Sequence, residues 1–293
     1  MTDVEELRNR MIEWDRGTWT LAALAIVLNR SHGGAQREAA AAVLDALGIN
    51  LEDTGLSGEL AGQTASMASA PLVQTARLLS GGSEWDEQSD AALLAQGRSS
   101  AQAAPLFAQR VFSQLEGLND RFAEPGARML DVGVGTAAMA AAFAETFPNL
   151  TVVGIDVMPR VLNLAANVVA ASPAKDRLQL RQQDVATLGD HHEEGFDLIW
   201  IPAPFVPEEP LRAGIARLPR ALRTGGWAMI GHGKFGADPV EDAINAFKTV
   251  AWGGTALDDA AAEALLTEAG LHDVHTVQTP PGAPALSVGR RRD

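Results

Sequence analysis

Residues Arg128-Met129-Leu130-Asp131-Val132-Gly133-Val134-Gly135-Thr136-Ala137-Ala138 decide the fold. An apolar run leads into a glycine turn, and the turn opens into an alanine-rich helix. Glycine lets the backbone turn tightly and lets a ligand approach. The helix N-terminus behind it offers unpaired N–H groups. Strand, turn and helix in this order form a cradle for a nucleotide-like ligand. Gly133-x-Gly135-x-x-Ala138 satisfies the dinucleotide pattern G-x-G-x-x-G/A, which alone is a weak signal.

The acids around the turn discriminate further. Asp131 sits just before it. A second apolar strand, Leu150 to Ile155, ends at Asp156, the place about 20 residues downstream where an acid suits ribose hydroxyls. A third, Leu178 to Gln183, ends at Asp184. A fourth, Phe196 to Ile201, ends in Pro202-Ala-Pro-Phe205. Successive strands thus end in a carboxylate or a sharp turn, all on one edge of a parallel sheet. Ligands of open α/β sheets bind at that edge.

These residues resemble the class I S-adenosylmethionine-dependent methyltransferases, from about Gln109 to Arg292. Leu130-Asp-Val-Gly-Val-Gly-Thr136 resembles the first motif of that family and Gly154-Ile-Asp156 the second. Gln183-Asp184-Val185 resembles the third, and Phe196-Asp197 through Pro202 the fourth. Leu222 to Ile230 is similar to the turn and strand that follow. The departure is Ala137, where many members carry a third glycine. The resemblance implies a Rossmann-like, doubly wound, mostly parallel α/β sheet with an antiparallel final strand, and S-adenosylmethionine as cofactor. It implies that Asp131 orients the cofactor's amino group and that Gly133 and Gly135 admit the ligand. Asp156 would take the ribose hydroxyls, with Val157 and Met158 packing on the adenine. Asp184 would accept from the adenine amine, beside the Val185 N–H. The Ile201-Pro202 backbone would lie near the sulfonium and the substrate.

Plainer readings compete with these roles. An aspartate at a strand end also serves as the N-cap of the following helix, and Asp156 and Asp184 are both open to it. Their joint placement after successive strands favours binding. Asp197 reads as a strand start, and Trp200 and Met158 are open to core positions.

Composition narrows the class. The 293 residues are 46% hydrophobic and 20% charged, enough for a large core in one or two domains. With no cysteine, disulfides, thiolate zinc sites and cysteine nucleophiles are excluded, which fits a reducing cytoplasm. Met1 to Trp14 is heavily charged, unlike a secretory signal, and Trp19 to Leu28 is too short to span a bilayer. The net charge of −14 opposes attraction to nucleic acid or an anionic membrane, so neither is expected as a partner.

Residues 1–98 read as a helical domain that dimerises or caps, and residues 99–293 as the cofactor-binding domain. The expected helices are one carrying Val4, Leu7, Met11 and Ile12, then Thr18 to Leu28, Gln36 to Leu47, Ala65 to Leu79 and Ser83 to Gln96. A long joining helix is expected from Ser100 to Asn119, with Phe107 and Arg110 open to ligand contact. Further on come helices at Val240 to Val250 and Leu257 to Ala269. Strands at Val274 to Val277 and Ala285 to Val288 close the chain.

Methyl transfer from a sulfonium is an in-line displacement. Aligning the partners is worth roughly 7–11 kcal/mol. A general base adds a factor of about 10²–10⁴, so alignment is the larger effect. His232, at the end of the fifth strand, is the expected base. Phe205, Lys234, Phe235 and Trp252 are the expected acceptor pocket, since aromatic and apolar walls suit a small organic acceptor. No metal is expected; His191-His192-Glu193-Glu194 reads as a solvent-facing loop. The leading expectation is methylation of a small organic molecule, at oxygen before nitrogen or carbon, by a homodimer. The alternatives are an NAD(P)-dependent oxidoreductase and a non-catalytic cofactor-binding regulator or scaffold.

Overall fold

The computed structural model describes residues 4–29, 33–80, 88–102, 104–189, 195–236, 238–279 and 283–292. The chain divides into two compact units, Met1–Gly82 and Ser83–Asp293. His32, His191 to Glu194 and the start of the expected Ser83 helix lie outside the described residues. No helix among the described residues is long and apolar enough to cross a membrane.

The first unit holds α1 (Val4–Leu28), α2 (Ala35–Ala46) and α3 (Gly58–Leu79). Where two helices were expected before Leu28, there is one. Gly17 costs about 1 kcal/mol in a helix interior, too little to end a helix of 25 residues. The hydroxyls of Thr18 and Thr20 donate to the carbonyls of Trp14 and Arg16 across that turn, both at 2.8 Å. A small core joins Ala23, Ala40 and Leu44. Val4, Leu7, Met11 and Trp14 form an exposed apolar row on α1.

The second unit opens with a helix before the glycine turn. Residue 98 falls inside α4 (Asp90–Ala101), which packs on the helix that follows the glycine turn and lies in the second unit. The single joining helix expected over Ser100 to Asn119 is corrected. After α4 come a one-turn α5 (Ala104–Leu106), a π-turn at Phe107–Val111 and a 3₁₀ turn at Phe112–Gln114. Gly117 at φ +76° turns the chain into α6 (Leu118–Ala123). Aromatic packing explains the break. Phe107 stands edge-on to Phe112, Phe143 and Trp200, with ring centres 6.3, 6.1 and 5.6 Å away. Phe107 is thus core, where ligand contact was considered.

The sheet comprises β1 (Ala127–Val132), β2 (Leu150–Asp156), β3 (Leu178–Gln182), β4 (Phe196–Pro202), β5 (Leu222–His232), β6 (His272–Val277) and β7 (Ala285–Arg290). Their spatial order is β3-β2-β1-β4-β5-β7-β6. β1 pairs in parallel with β2 and β4, β2 with β3, and β4 with β5. β7 runs antiparallel to both β5 and β6. Winding reverses between β1 and β4, and this switch point is where open sheets bind ligands.

The strand period of two divides the core between two faces. Met129, Val152, Leu198 and Met229 lie under α7 (Ala138–Thr146) with Phe107 and Phe112. Leu130, Val153, Ile199 and Ile230 lie under α9 (Glu208–Ile215) and α12 (Asp259–Glu268). Asp197, read from sequence as a strand start, anchors the opposite edge. It accepts from Arg121 at 3.2 Å, from Arg223 at 2.9 Å and from the Arg128 N–H at 2.8 Å.

Candidate active site

The turn after β1 is built from alternating left-handed residues. Gly133, Gly135 and Ala137 have φ of +64°, +57° and +61°. Ala137 therefore adopts the conformation a third glycine would adopt. Two bonds hold the turn to β2. The Val134 N–H donates to the Ile155 carbonyl at 3.0 Å, and the Gly135 N–H donates to Asp156 Oδ2 at 3.0 Å. Asp156 Oδ1 accepts from the Met158 N–H, also at 3.0 Å.

Asp131 is buried on the strand beside Asp156. Burial, and then the neighbouring negative charge of Asp156, push its carboxyl up to about 7. Two coupled acids beside a glycine turn favour a cationic group, since a cation relieves their repulsion. An ammonium or sulfonium fits that demand.

Asp184 is placed as its plainer reading had it: Oδ1 caps the turn at Val185–Thr187, accepting from the Ala186 N–H at 2.8 Å. Val157, at the end of β2, is exposed, while Val185 and Ile201 are buried. Met158 precedes α8 (Pro159–Ala171), and Pro202 ends β4 opposite Gly231 of β5. Sequence reasoning assigned no role to the Thr136 hydroxyl or the Gln183 side chain. Thr136 Oγ1 and Gln183 Nε2 are the buried side-chain polar atoms without a partner among the described residues. Such an atom costs about 1–3 kcal/mol, and ligand contact is one way to relieve it. Orphaned polar atoms, an acid pair and an open turn all fit a cationic adenosyl ligand.

The expected acceptor residues gather around α11 (Pro239–Ala251). The rings of Phe205 and Trp252 meet at 5.2 Å with a 36° tilt. The Thr255 N–H donates to the Ala203 carbonyl at 2.9 Å and its hydroxyl to Val206 O at 2.8 Å. Only glycine fits at position 254, where a Cβ would stand 1.9 Å from Pro204 O. Lys234 and Phe235 lie on the segment tied to α11 by Asn245 Nδ2 donating to Lys234 O at 3.1 Å.

His232 is the exception. Its side chain is fully buried. Nδ1 lies 3.0 Å from Gly233 O and Nε2 lies 2.9 Å from Ser287 Oγ. Ser287 continues to Thr276 at 2.8 Å, and Thr276 donates to Glu263 at 2.9 Å. Burial holds the imidazole below its usual range, against the opposing pull of Gly233 O, Asp259, Asp258 and Glu263. Both ring nitrogens are held inside the protein in this structure. The ring braces β5 against β7.

Residues 129–226 match the family model described as a methyltransferase domain. Over its whole length the fold is similar to an O-methyltransferase family protein from Burkholderia thailandensis, with TM-score 0.71, 15% identity and coverage of 100% of this chain and 99% of that one. Human N-acetylserotonin methyltransferase in complex with S-adenosylmethionine is also similar, with TM-score 0.67, 12% identity and full coverage of both chains. A tRNA1(Val) (adenine(37)-N6)-methyltransferase from Yersinia pestis (strain Pestoides F) is 30% identical over 73 residues, 25% of this chain and 29% of that protein. The chain thus spans less than a third of the length of the curated relatives it matches. Residues 129–226 thus match a methyltransferase domain, and the chain shares the fold of the O-methyltransferase family protein from Burkholderia thailandensis.

Proposed function

We propose that the chain transfers a methyl group from S-adenosylmethionine to a small organic acceptor, at oxygen, by in-line displacement. The carrying observation is the coupled pair Asp131 and Asp156 at the switch point, beside a turn of three left-handed residues. The pair favours a cationic donor, and the turn lets its methionine end approach. Asp156 then faces the ribose, Val157 and Met158 the adenine, and Ile201-Pro202 the sulfonium.

Phe205 and Trp252, with Lys234 and Phe235 on the neighbouring segment, supply an aromatic wall for the acceptor. Catalysis then rests on alignment, which is the larger effect for an activated methyl donor. His232 keeps the end of β5 in place and takes no proton from the acceptor. The strongly negative chain disfavours a nucleic-acid acceptor. Likeness to the tRNA methyltransferase covers only a quarter of the chain and carries the cofactor half of the reading. The antiparallel β7, between β5 and β6, counts against the nicotinamide alternative.

The helical unit dimerises through the exposed row Val4, Leu7, Met11 and Trp14. Light scattering on the intact chain tests this, and a monomer at micromolar concentration removes the dimer. Calorimetry with S-adenosylmethionine and NADH tests the cofactor, and binding of NADH alone overturns the reading. Mass-detected methyl transfer to a panel of phenols, amines and carboxylates tests the acceptor. Methylation confined to amines would overturn the assignment to oxygen.

A further inference from the structure

We propose that Gln183 reads the cofactor's adenine, its side-chain Nε2–H donating to a ring nitrogen. This rests on the reading of the chain as an adenosyl-cofactor enzyme and assigns a residue that the motif pattern leaves without a role.

Three features meet at the ends of β2 and β3. Val157 offers an exposed apolar surface at the end of β2. Asp184 spends Oδ1 on the Ala186 N–H, and its Oδ2 has no protein partner among the described residues. Gln183 lies between these acids in the fold. Its backbone N–H donates to the Asp156 carbonyl at 3.0 Å, fixing it beside the ribose acid, while its side-chain Nε2 is buried without a partner.

An apolar surface, an acceptor and an unspent donor are what an adenine ring requires. The apolar surface packs against its face, the acceptor takes its 6-amino group, and the donor takes a ring nitrogen. A side chain serving only as packing leaves no reason to bury an amide without a partner, since an apolar residue of the same length fills that space without the penalty.

The variant Gln183→Met keeps the length and removes the donor. Binding of S-adenosylhomocysteine and its 1-deaza, 3-deaza and 7-deaza analogues is measured by calorimetry, with thermal melting of the unliganded protein. Gln183→Met is expected to bind S-adenosylhomocysteine at least tenfold more weakly and to melt no lower than the wild type. One deaza analogue is expected to lose affinity for the wild type but not for the variant. Equal affinity in variant and wild type would overturn the proposal. So would a deaza series that behaves alike in both proteins. Gln183→Glu is the second variant, and wild-type affinity there overturns the proposal as well. A wild type that binds no S-adenosylhomocysteine overturns the parent reading, and this one with it.

Discussion

Gly135 donates its backbone N–H to Asp156 Oδ2 at 3.0 Å, so the acid that ends β2 holds the glycine turn that follows β1. Its other oxygen takes the Met158 N–H. One carboxylate thus orders both walls of the candidate cleft. Asp156→Ala is expected to weaken S-adenosylmethionine binding tenfold or more, about 1.4 kcal/mol. It should also lower stability by about 1–3 kcal/mol, because two backbone donors lose a charged acceptor. Calorimetry and denaturant melting check the two effects. An unchanged dissociation constant removes Asp156 from the site.

Asp131 gives the cofactor reading its pH dependence. The unfolded chain releases this proton near 3.8, whereas the folded protein keeps it until about 7. Stability owed to the protonated form is therefore complete below 3.8 and is lost as pH rises through 7. A cationic cofactor prefers the ionised carboxylate, so binding below pH 7 must expel the proton. Affinity should fall by up to about tenfold per pH unit below that point. Asp131→Asn should raise the stability of the unliganded protein at pH 8 and weaken cofactor binding. A dissociation constant that stays flat from pH 6 to 8 in the wild type would falsify this account of Asp131.

The strands β1, β2 and β4 were legible because each is a short, mostly apolar run that ends at a glycine, an acid or a proline, and local pattern determines both. Asp131, Asp156 and Asp184 were legible for the same reason. The breaks between Ala101 and Leu118 were not. Helical spacing there is real, but Phe107 and Phe112 leave the helix to pack on Phe143 and Trp200, a contact between residues distant in sequence. The surroundings of His232 were hidden in the same way. Its position at a strand end marked it as a base, and only the β5–β7 pairing reveals Ser287 as its partner. Gln183 carried no sequence signal, since an orphaned donor exists only once the fold has buried it.

Ala137 is a non-glycine residue held at φ +61°, fully buried at the start of α7. A left-handed backbone costs an L-residue roughly 1–2 kcal/mol, and glycine gives back about 0.5–1 kcal/mol of that in lost chain entropy. Ala137→Gly should therefore raise stability by up to about 1 kcal/mol with cofactor affinity unchanged. Thermal melting and calorimetry check it. A lower melting temperature would mean that the alanine methyl, packed in the core, outweighs the backbone strain.

His232 predicts acid sensitivity without a catalytic limb. Burial lowers its pKa in the fold, so the unfolded chain takes up a proton near 6.5 while the folded protein does not. Stability is complete above 6.5 and falls as pH drops below it, down to the depressed folded value. The charged groups facing the ring, Asp258, Asp259 and Glu263, favour the proton and limit the fall. His232→Gln should flatten stability in this window. Because neither ring nitrogen is open to an acceptor, the same variant should keep the wild-type shape of the pH–rate profile. Loss of the acid limb of that profile in His232→Gln would restore His232 as the base and require the Gly233 contact to open during turnover.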